Sequence, residues 1–198
     1  MIIGLTGSIA TGKSTVSRML KQKGYPIVDA DEISRLVVEP GSPVLDQIAQ
    51  AFGADVLLSD GSLNREKLGN LIFNDGAMRE KLNGIIHPAV RAEMIRQKEE
   101  WLEKGANTII MDIPLLFESK LQSYVDKIIV VSATPVIQRE RLIARNGYAA
   151  EEADARINSQ LPIMEKEKGA DAVINNDGTL DETEKQLNQI LLKWDAKL

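Results

Sequence analysis

The chain has 198 residues, 43% of them hydrophobic and 27% charged, with 24 Lys and Arg against 29 Asp and Glu for a net charge of −5. That length and ordinary composition fit one α/β domain with room for an insertion, and exclude disordered, collagen-like and disulfide-built architectures. Acidity and an aromatic share of 4% argue against a nucleic-acid or anionic-membrane binder, while the absence of cysteine and a single histidine exclude thiolate catalysis, Cys-ligated zinc and the common triads.

The opening Met1-Ile2-Ile3-Gly4-Leu5-Thr6 has no basic leader, and no apolar run approaches the roughly 18 residues of a membrane span, so a reducing cytoplasm is the expected address. Ile2-Ile3-Gly4-Leu5 reads as a buried strand. A helix follows from near Gly12, with Val16, Met19 and Leu20 on one face and Lys23-Gly24 closing it. Pro26-Ile27-Val28 is a second short strand, running into Asp29-Ala30-Asp31. Pro40-Gly41-Ser42-Pro43 punctuates the chain, and the pattern beyond it is helical to about residue 104. Its apolar positions are Val44, Ile48 and Phe52, then Leu68, Leu71 and Ile72, then Leu82, Ile85 and Ile86, then Val90, Met94 and Trp101. Turns are expected at Asp60-Gly61 and Asn74-Asp75-Gly76. So much helix between strands predicts an inserted helical subdomain over residues 32–104.

Thr108-Ile109-Ile110-Met111-Asp112 and Lys127-Ile128-Ile129-Val130-Val131 are continuous apolar runs, the pattern of strands covered on both faces of a parallel sheet. Residues 135–168 read as helical, charged and broken at Pro162. Ala172-Val173-Ile174 is a last strand, and Leu180, Leu187, Leu191 and Trp194 line a final helix. This alternation predicts a doubly wound α/β sheet in a single domain, 1–198.

Gly7-Ser8-Ile9-Ala10-Thr11-Gly12-Lys13-Ser14 matches G-x-x-x-x-G-K-[ST] between a strand and a helix, the context a phosphate loop requires. Gly7 and Gly12 let consecutive N–H groups turn inward, and the helix start adds about half a positive charge. Lys13 would place its ammonium between the β- and γ-phosphates of ATP, and the Ser14 hydroxyl would ligate Mg²⁺. The overall charge of −5 does not oppose this, because carboxylates beyond a Debye length of about 8 Å are largely screened.

Asp112 ends an apolar strand, where such a protein holds Mg²⁺; a capping role beside Pro114 is the alternative. Asp29 and Asp31 follow the second strand, and alternation along an extended segment would put both on one side, beside the phosphate loop. A carboxylate there could orient an attacking hydroxyl or take its proton, or either residue could cap the helix expected over residues 32–38. Arg141 and Arg145 share a helix face and could clamp phosphate oxygens as a cationic lid over residues 136–168. The same window carries as many acids as bases between residues 138 and 168, so a solvated helix laced with ion pairs is the alternative. His87 precedes Pro88, read here as the first position of a helix, so capping or packing competes with a contact to the acceptor.

Taken together these landmarks make the chain resemble the dephospho-CoA kinase family over nearly its whole length. Gly4-Leu5-Thr6-Gly7 with Gly12-Lys13-Ser14-Thr15 looks like that family's opening. Val28-Asp29-Ala30-Asp31, Val38-Glu39-Pro40-Gly41, Leu63-Asn64-Arg65, Ile86-His87-Pro88 and Pro114-Leu115-Leu116-Phe117-Glu118 follow in the same order. Arg141-Leu142 with Arg145, Arg156-Ile157 with Gln160 and Pro162, and Asn176 with Gly178 complete the series.

The resemblance implies a P-loop NTPase fold of the nucleoside- and nucleotide-kinase type: a parallel sheet flanked by helices, a helical acceptor-binding insertion and a helical lid. It implies that ATP, with Mg²⁺, phosphorylates the ribose 3′-hydroxyl of dephospho-CoA to give CoA and ADP. Gly7, Ala10, Thr11, Gly12, Lys13, Ser14, Thr15, Arg141 and Asn176 would bind ATP, and Lys13, Asp31 and Arg145 would be the catalytic residues. Asp31, Arg65 and His87 would lie near the acceptor, and Ser14 and Asp112 near the metal. Asn176-Asp177-Gly178 would form a loop beside the adenine. The chain departs from the family in having Ser8, Ala10 and Thr11 in a loop usually richer in glycine, and in having Glu167 and Gly169 where cations are usual near the end of the lid.

The rival readings are another P-loop kinase acting on a nucleotide or small metabolite, and a GTP-binding switch. The switch needs an N-K-x-D guanine reader, and no Asn-Lys pair occurs in the chain. The expected partners are ATP and dephospho-CoA, with no nucleic acid or membrane, in a monomer or small homo-oligomer.

Overall fold

The computed structural model describes residues 1–73 and 75–198; Asn74, expected in a turn, lies outside the described residues. Five strands, β1 (Ile2–Gly7), β2 (Ile27–Asp29), β3 (Ile109–Asp112), β4 (Lys127–Ser132) and β5 (Ala172–Asn175), form one sheet in the order β2-β3-β1-β4-β5. β1 runs parallel to β3 and β4, and β4 parallel to β5. The helices are α1 (Lys13–Gln22), α2 (Ala30–Leu36), α3 (Pro43–Phe52), α4 (Arg65–Phe73), α5 (Gly76–Glu103), α6 (Pro135–Asn146), α7 (Ala150–Asn158), α8 (Ile163–Lys168) and α9 (Leu180–Lys193). Among the described residues no helix is long and apolar enough to cross a membrane.

The apolar runs become strands because both faces of the sheet are covered. Ile3, Leu5, Ile110, Ile129 and Val131 are wholly buried together with Val16 and Leu20 of α1 and Leu187 of α9. Each such side chain contributes roughly 1.5–3 kcal/mol by leaving water. Register then aims the chemistry. Leu5 of β1 lies opposite Asp112 of β3, so the acid falls at the carboxyl edge where β1 gives way to its loop. In open α/β sheets ligands bind at that edge.

The chain divides into two compact units, Met1–Val28 with Glu100–Leu198, and Asp29–Glu99. The first contains the sheet and the phosphate loop. The second has its own core, in which Val38, Ile48, Val56, Leu68 and Leu82 are buried and Val44, Phe52, Leu63, Ile72, Ile85 and Ile86 pack around them. Leu71, expected on the buried stripe of α4, is 43% exposed, since the helix turns its Leu68 and Ile72 side to the core.

β3 pairs between β2 and β1. Several local expectations are corrected. Asp29 and Asp31 do not alternate along an extended strand. Asp29 ends β2 as the N-cap of α2, its Oδ1 accepting from the Asp31 and Glu32 amides at 2.8 and 3.0 Å, and Asp31 already lies in the first helical turn. Helix geometry replaces the strand period one residue after the cap. His87 and Pro88 do not begin a helix but lie within α5. Burial of Leu82 and Met94 on either side of Pro88 keeps the helix continuous despite the lost backbone donor. His87 itself is exposed, so it neither caps nor packs. The charged run over residues 135–168 is broken twice, at Gly147, whose φ of 70° ends α6, and at Pro162, which caps α8.

Candidate phosphate-binding site

β1 ends at Gly7 and α1 starts at Lys13, which leaves five residues to make the loop. Two of them take left-handed backbone, Ala10 at φ 60° and Gly12 at φ 92°. At Gly12 glycine is required twice over, because a Cβ there would also lie 1.9 Å from Asn176 Nδ2. Ala10 adopts a conformation that costs an L-residue roughly 1–2 kcal/mol.

The loop carbonyls are held almost one by one. Gly7 O accepts from Lys166 Nζ at 3.0 Å, and Ser8 O from Thr11 Oγ1 at 2.9 Å. Ile9 O accepts from Gln138 Nε2 at 2.7 Å, Thr11 O from Asn176 Nδ2 at 2.8 Å, and Gly12 O from the Thr15 amide at 2.9 Å. A planar trans peptide points its N–H away from its carbonyl, so fixing the carbonyls fixes the amides. The first turn of α1 carries no side-chain cap and no acid. The Lys13 and Ser14 amides and the positive end of the helix dipole are therefore available to an anion. Two loop amides are taken: Ile9 N–H donates to Gln160 Oε1 at 2.7 Å and Thr11 N–H to Ser8 O at 3.2 Å.

Lys13 reaches across to β3, and its Nζ lies 2.5 Å from Asp112 Oδ1. The carboxylate is 2% exposed and the lysine half-buried, so the two charges neutralise each other in a poorly solvated place. Ser14 is exposed at the start of α1. Asp112 and Ser14 offer hard oxygen donors, the type Mg²⁺ takes, and Mg²⁺ draws its other ligands from phosphate and water. Among the described residues no group of three or more His, Cys, Asp or Glu could hold a metal by itself. That donor set fits a cation that arrives with a nucleotide.

Two polar atoms near the loop are buried without a hydrogen-bond partner, Ser8 Oγ and Arg141 Nη1. Arg141 Nη2 donates to Asn176 O at 2.6 Å, which holds the guanidinium beside the loop and leaves Nη1 facing no acceptor. Leaving a buried donor unpaired costs about 1–3 kcal/mol, more for a charged one. An anionic oxygen in the loop would remove that cost.

Of the residues implicated by sequence, Lys13, Asp112, Arg141 and Asn176 converge on the loop. Asn176 is buried, and its amide is committed within the protein, Nδ2 to Thr11 O and Oδ1 to the Thr183 hydroxyl at 2.7 Å. Arg145 is exposed on α6, and its Nε donates to Asn146 Oδ1 at 2.8 Å, apart from the Arg141 contact with Asn176. Asp31, Arg65 and His87 belong to the second unit and are exposed there.

Sequence reasoning missed Gln138, which carries no charge pattern to mark it, and gave Gln160 and Glu118 only as landmarks of the resemblance, with no role. Lys166 sits in a run of alternating acids and bases that reads as a solvated face or a cationic lid. It is instead fully buried, with Nζ 2.8 Å from Glu118 Oε1.

Residues 1–182 match the sequence model of the dephospho-CoA kinase family. A dephospho-CoA kinase from Bacillus anthracis is 54% identical over 194 residues, 98% of this chain and 97% of that protein. Among solved structures, a protein from Thermus thermophilus matches with a TM-score of 0.82 at 33% identity, covering 98% of this chain and 97% of that one. A dephospho-CoA kinase from Campylobacter jejuni matches with a TM-score of 0.75 at 27% identity, covering 98% and 96%. The alternative of a P-loop kinase with another acceptor is not favoured by these likenesses. With a phosphate loop on β1, an acid on β3 and relatives of one kind along nearly its whole length, the chain belongs to the dephospho-CoA kinase family.

Proposed function

We propose that the loop amides and Lys13 grip the β- and γ-phosphates of ATP while Asp31 orients the ribose 3′-hydroxyl of dephospho-CoA and accepts its proton. The family's reaction, phosphoryl transfer from ATP to dephospho-CoA, is this chain's reaction. The observation that carries the assignment of the donor site is the pair of buried, unpartnered groups, Ser8 Oγ and Arg141 Nη1, beside unclaimed amides at the start of α1.

In this reading Lys13 exchanges Asp112 for phosphate oxygens when ATP enters, and Arg141 turns its unpaired Nη1 to the same anion. Ser14 and Asp112 would hold Mg²⁺, which supplies charge neutralisation across the phosphates. Gly7, Ala10, Thr11, Gly12 and Thr15 shape the cradle, and Asn176 keeps it in shape from behind. Asp31 sits in the first turn of α2, its carboxylate exposed to solvent and ready to accept a proton. General-base assistance of this kind is worth about 10²–10⁴-fold. Arg65 and His87 would contact the acceptor, and Arg145 would reach the phosphates from the lid. The cysteine-free acidic composition supports a cytoplasmic enzyme without nucleic-acid partners.

The test is ADP release from Mg-ATP with dephospho-CoA, adenosine and nucleoside monophosphates as acceptors. Turnover with dephospho-CoA alone, with CoA as product, is expected. Turnover with another acceptor and silence with dephospho-CoA would overturn the acceptor assignment.

A further inference from the structure

We infer that Lys166, held by Glu118, is a positioning residue for phosphoryl transfer, fixing the peptide at which β1 becomes the phosphate loop. The inference rests on the reading that this loop holds the phosphates of ATP.

Three observations carry it. First, Lys166 has no exposed surface, yet a lysine loses several kcal/mol of hydration on burial unless its charge is met. It lies in α8, inside a run whose composition would suit an open helix. Second, its ammonium is met on two sides, by Glu118 Oε1 at 2.8 Å and by Gly7 O at 3.0 Å. A lysine needed only for folding could be paired anywhere; this one spends a charged donor on the first carbonyl of the loop. Third, α8 is fastened where it stands. Glu167 accepts from the Ser132 hydroxyl at the end of β4, and a Cβ at Gly169 would come 2.5 Å from the Phe117 ring. Glu118 Oε1 also accepts from the Leu161 amide at 3.3 Å, tying the entry to α8 to the same carboxylate.

The mechanical consequence follows from peptide planarity. Holding Gly7 O fixes the plane of the Gly7–Ser8 peptide, and with it the direction in which the loop departs from the sheet. Glycine at position 7 cannot hold that direction by sterics, since its backbone is permissive. A Cβ there would meet Val131 O at 2.8 Å, so a stiffer residue is not available. The lysine supplies from outside the rigidity that glycine lacks. The loop amides are therefore oriented before ATP arrives, and transfer does not wait on their ordering. Lys166 acts through the loop and touches no phosphate.

The experiment compares Lys166→Met, Lys166→Arg and Glu118→Gln with the unaltered enzyme, measuring kcat and both KM values, with far-UV circular dichroism and active-site titration to count folded enzyme. Lys166→Met should raise the KM for ATP about ten- to hundredfold, the scale of a hydrogen bond to a charged group, with kcat lowered. The KM for dephospho-CoA should stay within about twofold, and Lys166→Arg should recover part of the ATP affinity. Glu118→Gln, which keeps an acceptor and the side chain's shape, should give a smaller rise in the same constant. Equal changes in both KM values, or an unchanged ATP KM per folded molecule, would show a structural lysine and overturn the inference. If Lys166→Met does not fold, Glu118→Gln decides by the same split. Lys13→Ala run in parallel separates the two readings. An active Lys13→Ala sinks the loop assignment itself, whereas an inactive Lys13→Ala beside a Lys166→Met with normal ATP KM sinks only the role of Lys166.

Discussion

Lys13 and Asp112 are paired at 2.5 Å, so each is the other's partner before any ligand is present. If, as proposed, that partner is exchanged for phosphate, Lys13 is a donor whose loss neighbouring amides would not compensate. Lys13→Ala is expected to lower kcat by about 10²–10³-fold or more, with circular dichroism unchanged. Turnover near normal would refute its assignment. Asp31→Asn removes a proton acceptor and keeps the side chain's shape, so kcat should fall about 10²–10⁴-fold while the ATP KM moves little. A change confined to ATP affinity would remove Asp31 from the acceptor side. At this scale the sequence was informative wherever a residue belongs to a spaced motif: Gly7, Gly12, Lys13 and the strand-ending Asp112 could be named in advance. The roles of Gln138, Gln160 and Lys166 could not, because what defines them is contact with backbone more than a hundred positions away, and no local spacing records such a contact.

Strands and caps form the next scale. The strands were legible because parallel strands covered on both faces must be continuously apolar, and Ile109–Asp112 and Lys127–Ser132 are. Boundaries set by side-chain capping were harder to read. Asp29 could have been the end of a strand, a base or a cap, and two amide donors to one oxygen decide for the cap. Asp29→Ala should therefore cost about 1 kcal/mol in urea denaturation, and Asp29→Asn much less, since asparagine caps nearly as well. Equal losses from the two variants would show that charge matters here and the cap does not. The helix through Pro88 was illegible for a different reason. Proline reads locally as a start or a stop, while burial of Leu82 and Met94 to either side overrides that local preference.

For the whole molecule, the sequence separates an all-helical stretch from the sheet-forming segments, and the chain divides at Asp29–Glu99 into a unit with its own apolar core. Ile48 is wholly buried in that core. Ile48→Ala should cost about 2–5 kcal/mol of stability, read as a shift in the urea midpoint, and a loss below about 1 kcal/mol would mean the site collapses around the gap. The braces on the phosphate loop have a further consequence, for the order in which the protein is made. The loop leaves the ribosome before its supports, because Gln138, Gln160, Lys166 and Asn176 follow the loop residues they hold by 129, 151, 159 and 165 positions. At about 5–20 residues per second, that is a wait of roughly six to thirty seconds. During that wait the nascent chain carries the phosphate-binding motif without its supports. On the proposed reading of the loop, competence to hold a triphosphate waits for the last of these supports, Asn176.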